Sequence, residues 1–462
     1  MPPCSRGGHS GPRGTLHTKD GGNGKRGGRS FTFPSNGTRK RWKMTGEAFS
    51  FPSKFADIVA LDRGDERFLR PLVPARLREC DLGSEPRERW GENVLVLGGN
   101  GFIGIHLIER LLRDPKVAQV TALVRPCRTS SPRSKIEAAL RAYDLDAGIA
   151  RNERFRIVAG FPMRKRFGLR AAQYRDLSEG VDTIIHAAGS TSYTASYLSL
   201  RPRWVLGMFH LLHFALDRRV KQLCYVGSTI AHLYREREDF QRPDSWWFSG
   251  YAQMKWVIQG MLRHLQGMGM RISVCEAPYV LGGIEGARDP GLHYSFWRMA
   301  LLVKRLGVMW PGKFPAFVPV DLLVEALVRN IGHARLEPLI RPIFPGNPTM
   351  ADLSGVFGCR VVPWEDFMKR LKRVVNRRYL RMFPPDMLEL IERTNLPAIF
   401  PEGGLQRALP PVETLFSRYL DVLSRTLARR DLLDIPSVRN TSDQAPFTSE
   451  KETARASQAS RR

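Results

Sequence analysis

Short apolar runs alternate with amphipathic stretches through the middle of this 462-residue chain. Between the runs, apolar residues recur at helical spacing, as at Ile103, Leu107 and Leu111. Alternation of this kind predicts a parallel sheet covered by helices on both faces. The six predicted strands are Asn93–Leu97, Val120–Val124, Arg156–Ala159, Asp182–Ala187, Gln222–Val226 and Arg271–Cys275.

The two ends of the chain lack this pattern. Residues 1–45 are rich in Gly, Ser, Arg and Lys, which predicts a disordered basic tail. Residues 436–462 are polar and predict a second disordered tail. After about residue 285, short helices and proline-rich turns replace the alternation. The expected fold class is therefore α/β, a doubly wound Rossmann sheet followed by a smaller mixed C-terminal subdomain.

The formal charge of +27 admits three interpretations. A basic surface suits nucleic acid or a membrane surface, and it also suits an anionic cofactor and substrate. The third interpretation is an arginine-rich genome with no specific meaning. No nucleic-acid motif is present, so no nucleic-acid partner is predicted.

The six cysteines are scattered and form no CxxC pair. This spacing indicates neither a disulfide framework nor a zinc site, and it fits a reducing, cytoplasmic location. The histidines show no ligand spacing beyond the weak HxxH of His210 and His213, so no metal site is predicted. No run of 18 apolar residues occurs, and no membrane span is predicted.

A glycine-rich turn connects the first predicted strand with the first predicted helix. Gly98, Gly101 and Gly104 form a GxxGxxG pattern in the strand–turn–helix setting of a dinucleotide-binding loop. Gly98 permits the tight turn, Gly101 lets the backbone approach a pyrophosphate, and Gly104 allows close helix packing. The N–H groups of the helix start, at Phe102 and Ile103, would bind the anion. A glycine turn without a ligand is the alternative.

The end of the second predicted strand bears on the choice of nicotinamide cofactor. An acidic residue there would bind the ribose 2′-hydroxyl of NAD. The stretch Leu123-Val124-Arg125-Pro126 has no acid, and Arg125, with Arg128 close behind, suits a 2′-phosphate. NADP, bound as NADPH, is therefore expected ahead of NAD. A solvated surface arginine is the alternative.

A YxxxK pattern supplies a candidate reaction centre. Tyr251 and Lys255 are four positions apart in a helical stretch, so both side chains lie on one helix face. The Lys255 ammonium would favour the phenolate and bring the pKa of Tyr251 toward neutrality. Tyr251 could then exchange a proton with a substrate oxygen.

The fifth predicted strand ends in Gly227-Ser228-Thr229. A hydroxyl at this strand end would lie in the crevice where open α/β sheets bind ligands. Ser228 is the expected donor to a developing oxyanion, with Thr229 as the alternate and a capping role as the alternative for both. At the end of the fourth strand, His186 is expected to be structural, and Ala187 and Ala188 are small enough for a cofactor to lie close.

Together these residues resemble the extended short-chain dehydrogenases, and within them the thioester reductase and fatty acyl-CoA reductase branch with a male sterility-type NAD-binding domain. The terminal reductase domains of nonribosomal peptide synthetases belong to that branch. Further similar stretches are Leu200-Arg201-Pro202 through Gly207, the Phe317-Val318-Pro319-Val320-Asp321 motif, Asn347-Pro348-Thr349, Val362-Pro363-Trp364-Glu365 and Asp57 to Asp62. The resemblance covers roughly residues 55 to 380.

Four positions depart from the pattern of that family. Leu97 stands where a threonine is usual, Trp204 replaces an asparagine, Phe161 replaces an aspartate, and Ala277 replaces an arginine. The departures put the adenine contact and the efficiency of the reaction in question. The resemblance also implies a lead-in segment at 46–91, an NADP-binding domain at 92–285 and a substrate-binding subdomain with C-terminal helices at 286–435.

The resemblance implies NADPH-dependent reduction of an acyl thioester, carried by coenzyme A or an acyl carrier protein, to an aldehyde or alcohol. Tyr251, Lys255 and Ser228 would be catalytic, and Pro278 would join the cofactor contacts. Two alternatives stay open. One is a dehydrogenase or epimerase acting on an alcohol, a sterol or a nucleotide sugar. The other is a non-catalytic cofactor-binding scaffold, against which convergence of the three catalytic candidates would argue.

Overall fold

The computed structural model describes residues 91–192, 195–231, 250–284, 295–332, 336–345, 348–374, 398–401 and 409–428. These residues all belong to one compact unit, 52–462. Both predicted tails and nearly all of the lead-in segment 46–91 lie outside them.

Seven parallel strands form the central sheet. The six predicted strands are all present, and each end lies within one residue of its predicted position. The predicted α/β Rossmann fold is thereby confirmed. The strands of this sheet are β1 (Asn93–Leu97), β2 (Gln119–Val124), β3 (Phe155–Ala159), β4 (Thr183–His186), β5 (Gln222–Val226), β6 (Ile272–Cys275) and β10 (Leu339–Ile340). Their order across the sheet is β3–β2–β1–β4–β5–β6–β10.

Helices cover both faces of the sheet. Val94 and Val96 of β1 pack with the layer of helices Phe102–Arg113 and Val320–Gly332. Leu95 and Leu97 pack with helices Tyr197–Leu216 and Gly250–Gly267 on the other face. This two-sided burial explains why the strands read as continuous apolar runs. The described helices are α1 (Phe102–Arg113), α2 (Pro132–Ala142), α3 (Ala171–Gly180), α4 (Tyr197–Leu216), α5 (Gly250–Gly267), α6 (Ser295–Leu306), α7 (Val320–Gly332), α8 (Met350–Phe357), α9 (Trp364–Val374) and α10 (Val412–Ala428).

Side-chain caps define several helix starts. Ser131 precedes α2, accepts a hydrogen bond from the N–H of Ser134, and is followed by a proline at the first helical position. Thr349 and Asp352 form a reciprocal capping box at the start of α8. These local signals are independent of the sheet, so they were available in the sequence.

The seventh strand comes from the segment assigned to the substrate-binding subdomain. β10 pairs with β6 through Leu339 opposite Val274 and Ile340 opposite Cys275. The preceding helix, Val320–Gly332 (α7), packs on α1, so this helix and β10 both belong to the Rossmann layers. The sequence did not place β10 in this sheet, because a two-residue strand has no periodicity from which to infer its partner. The division at residue 285 remains a prediction.

Two small parallel sheets lie beyond β6. β7 (Tyr279–Leu281) pairs with β9 (Phe317–Pro319), and β8 (Val308–Met309) pairs with β11 (Arg360–Val361). Helix α10 contributes Phe416 to an aromatic cluster beside these sheets. The centre of the Phe416 ring lies 5.0 Å from that of Phe314 and 5.2 Å from that of Phe317, and both pairs are edge to face. No helix in the described part of the chain is long and apolar enough to cross a membrane.

Replacing Phe416 by alanine should remove the centre of this cluster. Phe416 is 1% exposed, so we expect the free energy of unfolding to fall by about 3–5 kcal/mol. Urea denaturation measures the loss. Thr414→Ala, at an exposed position of the same helix, should change stability by less than about 0.5 kcal/mol. Equal effects of the two substitutions would contradict the described packing.

Candidate functional site

The carboxyl ends of the parallel strands bring the candidate residues to one edge of the sheet. Gly98 follows β1, Ala187 follows β4, Ser228 follows β5 and Pro278 follows β6. From β1 the chain adds β2 and β3 on one side of the sheet, and from β4 it adds β5 and β6 on the other, so the strand order reverses between β1 and β4. In open α/β sheets the ligand crevice lies at this switch point. Residues far apart in sequence therefore meet there.

The glycine loop has the geometry of a phosphate cradle. Gly98 has φ +87°, and a Cβ on it would lie 2.7 Å from the Ala188 nitrogen. A Cβ on Gly104 would lie 2.1 Å from the Gly98 oxygen, so both positions exclude a side chain. Gly101 precedes α1 without a side-chain cap, and the N–H groups of Phe102 and Ile103 begin the helix. This backbone fits a dinucleotide pyrophosphate, since helix-start N–H groups bind anions.

Arg125 is exposed immediately after β2, beside the glycine loop in the sheet order. The Lys135 ammonium donates to the Arg125 carbonyl at 2.7 Å and so ties this turn to α2. Arg128 is exposed in the same turn. Both arginines are thus exposed in the turn that follows the strand next to β1.

Ser228 and Tyr251 meet through their hydroxyl groups. They share a hydrogen bond, which opposes the rise in the pKa of Tyr251. Burial dominates, and it raises that pKa to about 12. This direction is opposite to the fall toward neutrality expected from the sequence. Tyr251 is consequently a protonated hydrogen-bond donor at neutral pH. The alternate Thr229 instead uses its backbone N–H, which donates to the Ala277 oxygen at 3.1 Å.

Lys255 lies one helical turn after Tyr251, as the spacing predicted. Its ammonium donates to the Tyr225 hydroxyl at 3.1 Å and to the Val226 oxygen at 2.9 Å. Burial lowers the pKa of Lys255 to about 7. A Cβ on Gly189 would lie 3.6 Å from Lys255 Nζ, so the small residues after β4 border this amine.

Tyr225 and His186 lie behind Lys255, and the sequence reasoning did not place them together. Their rings are 5.4 Å apart in an edge-to-face arrangement, and Lys255 Nζ lies 4.8 Å from the centre of the Tyr225 ring. Burial and the Lys255 charge lower the pKa of His186 to about 3, so its imidazole is neutral. The register of β4 with β5 pairs His186 with Tyr225, a relation that sequence spacing does not reveal.

The four residues that depart from the family pattern are buried or packed against neighbouring side chains. The guanidinium of Arg164 lies 4.2 Å from the centre of the Phe161 ring, at the end of β3. Trp204 packs in the α4–α5 layer, and Leu97 is fully buried in β1. Ala277 is buried beside Pro278. The described residues contain no group of three or more His, Cys, Asp or Glu that could hold a metal ion.

The family model described as "Male sterility protein" matches residues 96–327, half of the chain. Two solved structures share the fold. The terminal R domain of the myxalamid PKS-NRPS pathway is 22% identical, with a TM-score of 0.61 over 78% of this chain and 98% of that domain. The reductase domain of a nonribosomal peptide synthetase from Mycobacterium tuberculosis is 19% identical, with a TM-score of 0.59 over 78% of this chain and 96% of that domain.

Sequence relatives include longer fungal proteins. The non-canonical nonribosomal peptide synthetase FrzA of Cladobotryum sp is 26% identical over 71% of this chain. The aldehyde reductase lnbA of Aspergillus flavus is 27% identical over 56%. This chain spans 36% of the first protein and 27% of the second. The similarity is thus to a part of each relative.

The buried amine of Lys255 should make folding stability depend on pH. The unfolded chain keeps the proton up to the ordinary value of 10.5, whereas the folded chain loses it near 7. Since the unfolded state then binds more protons, the Lys255 contribution to stability rises between these pH values. We expect wild type to gain about 2 kcal/mol relative to Lys255→Met between pH 7 and 9. Denaturation of both proteins at each pH measures the gain, and parallel pH profiles would contradict it.

Proposed function

This chain belongs to the male sterility protein family, and we propose that it is an NADPH-dependent reductase that converts an acyl thioester to an aldehyde. The convergence of Ser228, Tyr251 and Lys255 at the switch point carries this proposal. A scaffold would not need a buried amine and two hydrogen-bonded hydroxyls beside the dinucleotide loop, because burying polar groups costs stability.

When bound, NADPH would supply the hydride that reaches the carbonyl carbon of the thioester. Tyr251 and Ser228 then donate hydrogen bonds to the oxygen on which negative charge develops. Because the pKa of Tyr251 is raised to about 12, its hydroxyl is protonated and ready to donate. Lys255 borders the site and would hold the ribose hydroxyls of the cofactor. Cleavage of the C–S bond then leaves the aldehyde and releases the thiolate, which takes up a proton from water to give the thiol.

The preference for NADPH over NADH rests on the turn after β2. Arg125 is exposed there, and the turn contains no carboxylate for a ribose 2′-hydroxyl. A guanidinium forms paired, charge-assisted hydrogen bonds with a phosphate. Both observations favour a cofactor that has a 2′-phosphate.

The substrate class follows from the relatives together with the charge of the chain. The sequence relatives include a nonribosomal peptide synthetase and an aldehyde reductase. A solved thiolation–reductase di-domain of a nonribosomal peptide synthetase contains a reductase domain of the same fold. The formal charge of +27 suits coenzyme A or an acidic carrier protein. We assign the acyl thioester of either carrier as the substrate. The cytoplasmic location inferred from the cysteine pattern stays a prediction.

Tyr251→Phe should lower kcat/KM for thioester reduction about 100- to 1,000-fold, because the donor to the oxyanion is lost. The measurement is NADPH oxidation with a series of acyl-CoA and carrier-bound thioesters. Tyr174→Phe removes a hydroxyl from α3 and should retain the wild-type rate. Wild-type binding of NADPH without turnover of any thioester would refute the reductase function and support the scaffold.

Arg125→Ala should raise KM for NADPH about 10- to 100-fold and leave KM for NADH unchanged, since only NADPH has the 2′-phosphate. Arg141→Ala, at an exposed position near the end of α2, controls for the loss of one positive charge. If both cofactors weakened equally, Arg125 would contribute general attraction rather than recognition of the 2′-phosphate.

A further inference from the structure

One face of α5 extends the catalytic pair into a longer polar stripe. Tyr251, Lys255, Gln259 and Arg263 follow one another at intervals of four residues, so they lie on the same side of the helix. The first two form the proposed reaction centre. The side chains of Gln259 and Arg263 contact residues that follow β5 and β6. Neither side chain has a role in the proposed reaction.

Gln259 contacts the backbone of the catalytic serine. The Ser228 N–H donates to Gln259 Oε1 at 2.8 Å, and Gln259 Nε2 donates to Glu276 Oε1 at 3.2 Å. A backbone N–H only donates and a carboxylate only accepts, so these two partners fix which way the amide faces. Gln259 is fully buried, and its side chain therefore acts as a fixed spacer between Ser228 and Glu276.

Gly227 makes this approach possible. A Cβ at this position would lie 2.3 Å from Gln259 Oε1 and 3.2 Å from the Cys275 oxygen. The Gly227 N–H also donates to the Cys275 oxygen at 2.7 Å. The glycine before the catalytic serine is thus required by the amide packed against it.

Buried charges hold the far end of Gln259. Glu276 is 0% exposed and accepts from Arg341 Nε at 3.0 Å and from Arg341 Nη2 at 2.6 Å. Arg263 forms a second ion pair with the same carboxylate. Since a buried carboxylate is costly without such partners, Glu276 is tightly constrained. Arg341 directly follows β10, which places it beside Glu276 at the end of β6.

This arrangement coincides with a departure from the family pattern. The resemblance expects an arginine at position 277, where this chain has a buried alanine. The guanidinium groups at the end of β6 come here from Arg341 and Arg263, which lie on different elements. The charge cluster at Glu276 thus depends on Arg341 and Arg263 and not on an arginine at position 277.

We propose that Gln259 is a positioning residue that sets the Ser228 hydroxyl against Tyr251, and that Glu276 with Arg341 holds Gln259 in place. The inference rests on the proposed function, because it assigns Gln259 a role through the serine of that reaction. A displacement of about 1 Å in a reacting geometry can cost up to about 100-fold in rate. Gln259 is 31 residues from Ser228 in the chain, so the constraint acts across the fold.

The first test compares two glutamine substitutions on α5. Gln259→Met keeps the chain length and removes both hydrogen bonds, and it should lower kcat about 10- to 100-fold with the NADPH dissociation constant unchanged. Gln266→Met is the control, because Gln266 Nε2 also ties α5 to its neighbours through the Ile272 and Pro338 oxygens. The control should lose thermal stability to a similar extent and retain kcat. Equal loss of kcat in both variants would overturn the proposal.

The second test is a double-mutant cycle with Ser228→Ala. If Gln259 acts through the serine, Gln259→Met should cost less than about twofold in the Ser228→Ala background. A full additional loss there would show that Gln259 acts independently of Ser228 and would overturn the proposal.

A structural measurement separates this inference from the reaction itself. Crystal structures of wild type and Gln259→Met should show a longer distance between the Ser228 and Tyr251 hydroxyls in the variant. An unchanged distance would overturn the positioning role. The distance between the two hydroxyls can be measured whether or not the wild-type protein reduces a thioester. Failure of the positioning role and failure of the proposed reaction are therefore distinguishable.

Discussion

The parallel alignment of the strands is the constraint on which the site depends. Seven parallel strands end at the same edge, and the order reverses between β1 and β4. The loops after β1, β4, β5 and β6 are therefore neighbours, although they are separated by up to about 180 residues. The glycines of the first loop add a second condition, because Gly104 packs against the Gly98 carbonyl at a distance that admits no side chain.

Burial sets the protonation chemistry of Lys255, Tyr251 and His186 at this site. The same exclusion of water lowers the pKa of Lys255 to about 7 and raises that of Tyr251 to about 12. A lysine that titrates near neutral pH and a protonated phenol are thus buried at the same site, where the phenol is suited to donate to a developing oxyanion. His186 is neutral for the same reason, since its pKa is lowered to about 3.

The sequence proposes residues for the candidate site but does not show how they contact one another. Tyr251 and Lys255 were found from a four-residue interval, which is a property of one helix. Ser228 was found from its place after a strand, and the structure joins its hydroxyl to Tyr251. Tyr225 carried no local signal, and the four-residue interval that places Gln259 after Lys255 did not reveal its partners. The contacts of Tyr225 with Lys255 and of Gln259 with Ser228 come from strand register and from the packing of α5 on the sheet.

The sequence by itself determined the strands, the helix that follows the glycine loop and the fold class, because apolar periodicity and glycine placement are local properties. Only the tertiary structure decided that β10 closes the edge of the sheet beside β6, since two residues carry no period. It also decided the partners of Lys255, the ion pairs of Glu276 and the direction of the Tyr251 pKa. Each of these depends on burial and on contacts between distant segments, which no spacing along the chain encodes.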